Sequence, residues 1–596
     1  MTAAGRITVV LCRSGAVAAI MDRADHACYV SPAICRPAWY WPRGKRDPKN
    51  DMAMIRAVRE RAADGILVLL LHAVLAAWAF RPVVLAPTRV NTPNSDTYGN
   101  IWALTWVAEH LAHPHALFAA NIYWPNPNGL AFTEGLFPQA VQAAPLLACG
   151  VSPVLAYNVV WFLTFPLSGL GMYLLARRVS GSKLGALVAS LSYAFGAYRI
   201  GALPHLQTLS IQWLPFALLA LLDSLENPRL SHLLRVTLFT AAQALSSGYY
   251  AALLVPTITV VLMFHLRAPG LRRSMVALAL ATVLVALVFW PYLVVQHEIG
   301  VHRSREECAH WSARWGALLN PGRFSASPLK PILRHTVDNE DEALYPGGIA
   351  LALGLVSLAS FRKDRRIRLF GTLGIVGVLL ALGPNIQLGP LRVTGPYELL
   401  RTLPGFTSLR TPARMLPLGM VALGCLAAIT WQRLGLEWSD RRKRWVALAL
   451  LGFALWESLP HVGAAVRELA PIPAYARWLA SAPRGPVLEL PWDQEGIYLY
   501  WSTAHWQPLV NGWGAYGPPG SGWSEGVGRR FPLPGAVALL RAAGVRYVVE
   551  HLGALPAKLQ DRVLHTPLPV GVRLLSDAEG HRLYEIDPAG LPAPAP

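Results

Sequence analysis

The chain has 596 residues, of which 54% are hydrophobic and only 15% charged, whereas a soluble protein carries about a quarter charged. Its 53 Lys and Arg outweigh 34 Asp and Glu to give a net charge of +19. That charge lies mostly in gaps between apolar runs and forms no basic and aromatic stripe, so no nucleic acid is implied, and six cysteines without CxxC spacing imply no zinc module.

The first 51 residues stand apart. They hold Cys12, Cys28 and Cys35, no apolar run of spanning length, and a polar stretch at 43–50. The apolar run 7–20 is broken by Arg13 and Gly15 and leads into no small-residue cleavage site. A start at Met52 or Met54 gives the first long apolar run a basic flank at Arg56 and Arg59. Residues 1–51 are therefore expected to be disordered or a mis-called upstream extension.

About eleven apolar runs follow, most of them long enough to cross a bilayer. They cover 66–86, 153–175, 184–200, 209–225, 233–245, 250–264, 275–295, 347–361, 369–382, 415–431 and 445–459. Arg56, Arg59 and Arg61 precede the first run. Basic clusters recur after the second (Arg177, Arg178, Lys183), fourth (Arg229, Arg235) and sixth (Arg267, Arg272, Arg273). They recur again after the eighth (Arg362 to Arg368) and the tenth (Arg433, Arg441 to Arg444). By the positive-inside rule the N-terminus is cytoplasmic, and the loops after odd-numbered runs lie outside with the tail. The expected protein is multi-pass and α-helical, in the cell inner (plasma) membrane, with residues 52–459 as its membrane domain.

The first outer loop, 88–152, has structure of its own. Residues 101–111 carry Trp102, Leu104 and Trp106 on an amphipathic pattern, which predicts a helix lying on the membrane. Residues 138–149 predict a second interfacial helix, and 121–128 is a turn cluster of Pro and Asn. The tail, 460–596, reads as strand 486–491, helix 533–543, strand 545–550 and a strand pair at 574–586 around Gly580. That order suggests a small α/β domain outside the membrane.

Asp96 lies about ten residues past the first run, directly before a predicted helix. It suits an N-cap and a catalytic acid equally. Arg199 and His205 fall at the outer end of the third run. The Arg fork suits a phosphate, and the imidazole suits hydrogen bonding or proton transfer. The simpler reading is a snorkelling Arg and a His satisfying a turn. The loop after the seventh run holds His297, Glu298, His302, Arg303, Arg305, Glu306 and Glu307, which match no zinc spacing and read as a solvated loop. Arg410 and Arg414 stand four apart before the tenth run and share a face if helical, as phosphate contacts or interface anchors. Residues 246–250, Ser-Ser-Gly-Tyr-Tyr, line a cavity or form a tight turn. There is no Walker A loop, no GxGxxG between strand and helix, and no GxSxG elbow, which argues against an ATP-driven pump.

This layout resembles the GT-C superfamily of integral-membrane glycosyltransferases, which use polyprenyl-phosphate-linked sugars at the outer face. The likeness rests on the acid-bearing first outer loop, two interfacial helices, the size of the bundle and a C-terminal domain. It implies that Asp96 is the general base on the acceptor, or helps to hold a metal. The family's second acid is not adjacent, because Ser95 and Thr97 flank Asp96; Glu109 and Glu134 are the candidates, with Glu134, in a Thr-Glu-Gly turn, preferred. A divalent metal, Mg or Mn, is left open. The loop after the seventh run often folds over the donor in these enzymes, which makes Arg303 and Arg305 phosphate contacts.

The segment 198–207, running on to Gln212 and Pro215, resembles a subgroup of uncharacterised glycosyltransferase-like bacterial membrane proteins, as do residues 488–491, His505, Trp506 and 510–512. The implied function is transfer of a hexosyl or pentosyl group from a polyprenyl-phosphate donor to an outer-face lipid, glycan or protein acceptor in cell-envelope glycan biosynthesis. Asp96 and Glu134 are the implied catalytic acids. Tyr98, Arg199, His205, Gln207, Arg303, Arg305, Arg410 and Arg414 are the implied substrate-binding set. A carrier or flippase for lipid-linked glycans is the alternative; it calls for polar groups deep in the spans, and the middle of these runs is nearly free of them. An intact Asp96 argues against a third reading, a non-catalytic assembly factor.

Overall fold

Lipid offers no partner to a backbone N–H or C=O, so an isolated apolar run closes its hydrogen bonds as a helix. In the computed structural model each of the apolar runs lies in helix. The structure describes residues 48–587 except 323, 326–328, 334–342, 436–437, 461 and 464. The expectation of a disordered or mis-called extension falls on 1–51; residues 1–47 lie outside the described residues, and Pro48 opens the helix Pro48–Ala79. The chain divides into two compact units, Met1–Arg61 and Ala62–Pro596.

Among the described residues, five helical segments are long and apolar enough to cross a membrane: Arg59–Ala79, Pro153–Ser180, Leu206–Glu226, Leu271–Glu298 and Pro412–Gly435. The other runs are shorter helices, such as Gly248–Phe264 and Gly348–Ser360. The first run is shorter than expected, because its helix stops at Ala79 and Arg81–Leu85 forms a separate helix with Pro82 in its first turn. The third breaks at Gly196, whose extended backbone separates Lys183–Phe195 from Ala197–Gly201. Helices meet where side chains are small. A Cβ on Gly185 would come within 2.9 Å of the Ala428 backbone, and one on Gly377 within 2.6 Å of the Gly419 amide nitrogen. Such close approach is how helices associate without a hydrophobic driving force.

Charge gathers at two ends. At one end the basic gaps interlock. Arg177 and Lys183 meet Asp64 at 2.5 and 2.8 Å, and Arg178 meets Asp223 at 2.8 Å. Arg273 donates to the Pro228 carbonyl and Arg365 to that of Phe264. Arg366 donates to the Val179 carbonyl, and Arg433 meets Asp364 at 2.5 Å. These bonds tie together the gaps after the second, fourth, sixth, eighth and tenth runs. Polar groups also lie inside the bundle, contrary to the expectation of nearly polar-free runs: His72 and Arg199 are each fully buried.

The tail forms a mixed four-stranded sheet. Its strands are β5 (Val487–Leu490), β6 (Tyr547–His551), β7 (Val572–Ala578) and β8 (His581–Ile586), in the order β5-β6-β8-β7, with β5 and β6 parallel and the other pairs antiparallel. The remaining strands are β1 (Val90–Asn91), β2 (Asn385–Leu388), β3 (Leu391–Thr394) and β4 (Arg467–Glu468). The tail is joined to the first loop, not set apart from it. β1 pairs antiparallel with β4, Tyr123 donates its amide to the Asn511 carbonyl at 2.9 Å, and Leu509 donates to that of Asn121 at 2.7 Å.

Within the sheet Glu489 accepts from the Tyr475 hydroxyl and lies 2.7 Å from His551 Nε2. On β6, Glu550 lies opposite Leu490 of β5 and has a buried Oε2 without a hydrogen-bond partner, and burial pushes its pKa up to about 8. Glu550 therefore holds its proton more tightly folded than unfolded. The wild-type protein is favoured at pH values below about 4.3, the unfolded carboxyl's value, and loses stability as pH rises through about 8. Glu550→Gln should raise the unfolding midpoint at pH 9 and leave it nearly unchanged at pH 4, read by thermal unfolding in detergent; an equal shift at both would disprove the account.

Candidate active site

The helix Ser95–His110 starts from Asn94, whose side-chain oxygen accepts from the Thr97 amide at 2.9 Å. Asn94 is thus the N-cap, and Asp96 is released from that role. Asp96 sits in the first turn, where a negative charge is favoured by the helix dipole. The same helix grips the turn that carries His205. Asn100 Nδ2 donates to the Pro204 carbonyl at 3.2 Å and to Gln207 Oε1 at 3.0 Å. Trp161 Nε1 holds the other side through the Leu203 carbonyl at 2.9 Å. These bonds bring Asp96 Oδ2 within 3.3 Å of His205 Nδ1, an ion-pair distance without the alignment of a hydrogen bond.

Three other outer loops reach the same place. Glu134 Oε1 accepts from Ser247 Oγ at 2.9 Å, at the turn between Leu230–Ser246 and Gly248–Phe264. Tyr249 accepts at its hydroxyl from the amides of Arg410 and Thr411, both at 3.2 Å, and the Arg414 guanidinium stands 5.1 Å from its ring centre. Arg410 is exposed and lies 5.5 Å from the centre of the Trp311 ring. The expectation of one helical face for Arg410 and Arg414 is corrected: Arg410 precedes a 3-10 turn, Pro412–Met415, which starts at a proline.

The two acids are pushed in opposite directions. Burial raises Asp96, but His205, Arg414 and Arg410 outweigh it and hold the carboxyl below its ordinary value. Burial dominates at Glu134 and raises it, despite Arg414, Ser247, His205 and the Gly248 amide. Environments that separate two carboxyl groups in this way equip one as a permanent anion and the other as a proton carrier.

Several expected substrate contacts are engaged elsewhere. Arg199 is fully buried, donating to Thr164 Oγ1 at 2.8 Å and to the Ala194 carbonyl at 3.1 Å, with its guanidinium 4.4 Å from the Phe165 ring centre. Two of its donors are bound within the bundle, while its buried Nε has no hydrogen-bond partner. Arg303 holds Glu307 at 3.0 Å and the Ala515 carbonyl, and Arg305 binds Asn385, Pro384 and Thr394. Tyr98 accepts at its hydroxyl from the Ala470 amide at 2.9 Å and stacks on Tyr500, and Gln207 is spent on Asn100. Glu109 is exposed near Trp506 and takes no part in the cluster. Trp311 escaped sequence reasoning. So did Trp513, whose indole packs on Gly99 so closely that a Cβ there would meet it at 2.5 Å. A recess lined by Phe195, Ile200, Tyr345 and Glu457 shares none of the cluster's residues.

A divalent metal finds no ready-made set of ligands. Among the described residues no three His, Cys, Asp or Glu side chains are grouped to hold one. The charges bearing on Asp96 are instead the imidazole and the two guanidinium groups. Asp96 and Glu134 are the acids a divalent metal would use, and among the described residues no third His, Cys, Asp or Glu joins them.

No family model and no curated protein matches the chain. Among solved structures it is similar to the arabinofuranosyltransferase AftD from Mycobacteria, with 15% identity and a TM-score of 0.56 over 88% of this chain and 40% of that one. The chain shares the fold of that arabinofuranosyltransferase. It spans 40% of the length of AftD. Weaker likenesses are to ArnT from Cupriavidus metallidurans (14% identity, TM-score 0.47, 88% of this chain and 98% of that one) and to the oligosaccharyltransferase AglB from Archaeoglobus fulgidus (13%, 0.45, 89% and 75%).

The cap has a measurable consequence. Asn94→Ala should cost about 1 kcal/mol of stability and speed hydrogen exchange at the Thr97 amide. Asp96→Ala should leave that amide protected; loss of protection there would return the cap to Asp96.

Proposed function

We propose that the protein is a membrane glycosyltransferase that moves a sugar from a polyprenyl-phosphate donor to an acceptor hydroxyl at the outer face of the inner membrane. The observation that carries this reading is one cluster in which an ionised Asp96 faces His205 while Arg410 and Arg414 bear on the same carboxylate. A transfer site needs both halves: a basic end for the acceptor and a cationic end for the phosphate that leaves. Asp96 and His205 together form the basic end that accepts the hydroxyl proton. Arg410 and Arg414 are the cationic end, stabilising charge as it develops on the departing lipid phosphate. The acceptor oxygen attacks the anomeric carbon in a single displacement, and the C–O bond to phosphate breaks with its electron pair. Glu134, whose proton affinity burial raises, stands beside the pair as the second acid.

The sidedness follows from charge. The interlocked basic end is placed in the cytoplasm by the positive-inside rule, and the cluster then lies outside with the tail. The bundle provides the surface along which the prenyl chain lies. Acceptors of this class are a lipid, a glycan or a protein.

The test is a transfer assay on purified full-length protein with a panel of polyprenyl-phosphate sugars. Asp96→Asn should lose about 100-fold or more in turnover. Arg414→Ala should raise the donor KM and weaken binding of sugar-free polyprenyl phosphate. Arg199→Lys should lower the unfolding midpoint and leave the donor KM unchanged. Equal turnover by wild type and Asp96→Asn would remove Asp96 from the reaction, and binding of every donor with no transfer would support a carrier.

A further inference from the structure

Which atom receives the acceptor's proton is a separate question, and its answer rests on the transfer reading. We infer that His205 Nε2 takes the proton, and that Asp96 holds the imidazole in the tautomer that makes this work.

Three observations carry the assignment. First, the ring is oriented. Its Nδ1 is fully buried and faces Asp96 Oδ2 at 3.3 Å, while 16% of the side chain stays exposed, so the accessible part of the ring is its other edge. Second, the ring is anchored. The His205 amide donates to the Ala202 carbonyl at 2.9 Å, the preceding Pro204 carbonyl is gripped by Asn100, and the following turn is closed by the Thr208 amide on the His205 carbonyl at 2.9 Å. Third, the charges around the pair favour an anion on the carboxylate. Arg410 and Arg414 bear on Asp96 together with His205, and Glu134 is the remaining titratable group that the ring influences. A carboxylate beside two guanidinium groups is a stable anion and a poor resting place for a proton. Its negative charge instead favours a proton on Nδ1, which leaves the Nε2 lone pair as the acceptor.

The step balances. The acceptor O–H gives its proton to Nε2, its oxygen forms the bond to the anomeric carbon, and the phosphate leaves with the electron pair of the broken bond. The imidazolium is stabilised by Asp96 until it passes its proton to water.

Two measurements on the full-length protein test this. In the transfer assay, His205→Gln should lose about 100-fold or more in turnover. His205→Gln turning over like wild type overturns the inference while leaving the transfer reading in place. No turnover with any donor overturns both. The second measurement needs no donor: nitrogen-15 histidine spectra of wild type minus His205→Gln at pH 8. The expected signal is the Nδ1–H tautomer, shifting toward Nε2–H in Asp96→Asn. A wild-type ring protonated at Nε2 overturns the inference whatever the enzyme's activity.

Discussion

Charge has no place in hydrocarbon, and that constraint shapes the whole molecule. Each pair of helices returns the chain to the end from which it left, so polar groups collect in two layers. One layer is a lattice of Arg–carboxylate and Arg–carbonyl bonds built from the even-numbered gaps. The other receives one contribution from each odd-numbered gap. Asp96 and Glu134 come from the first, His205 from the third, Ser247 from the fifth, Trp311 from the seventh, and Arg410 with Arg414 from the ninth. Residues more than 300 positions apart in sequence meet because the parity of the crossings leaves them nowhere else to go.

Parity brings the loops to one end, and short polar bonds then fix the distances. The helix Ser95–His110 spends Asn100 and Thr97 on the Pro204 carbonyl, so the turn bearing His205 is set against the first helical turn bearing Asp96. Tyr249 does the same for the ninth loop by accepting two consecutive amides. Neither pin touches Asp96 or His205 itself. The Asp96 and His205 pair is held by backbone placement.

How much was legible follows from which contacts are local. Helical runs and the alternation of basic gaps are local patterns, and both lie plainly in the chain. Asp96 with His205 was within reach because each sits at the outer end of an apolar run of the same parity. Cap and acid were not separable: Asn94 and Asp96 are two residues apart, and either suits an N-cap until the backbone shows which side chain reaches the Thr97 amide. The attachment of the tail was hidden for a different reason. The pairing of Val90 with Glu468 joins strands of two residues each, too short to show a period of two. Trp311 and Trp513 were invisible because an aromatic residue in a loop takes its meaning from what it lies against.

The arginines make the sharpest case. Sequence offered Arg199, Arg303, Arg305, Arg410 and Arg414 as forks for a phosphate. What separates them is what each already touches. Arg199 is enclosed by Thr164, the Ala194 carbonyl and the Phe165 ring, so drawing it to a ligand would strand buried acceptors and open a void. Arg303 and Arg305 stitch the seventh loop to the tail and to the β2–β3 hairpin. Arg410 is different in kind. It is exposed, with its guanidinium carbon 5.5 Å from the centre of the Trp311 ring. A cation beside an aromatic ring is positioned without being neutralised. The residue type announces the chemistry; the partner it already has decides whether that chemistry is available.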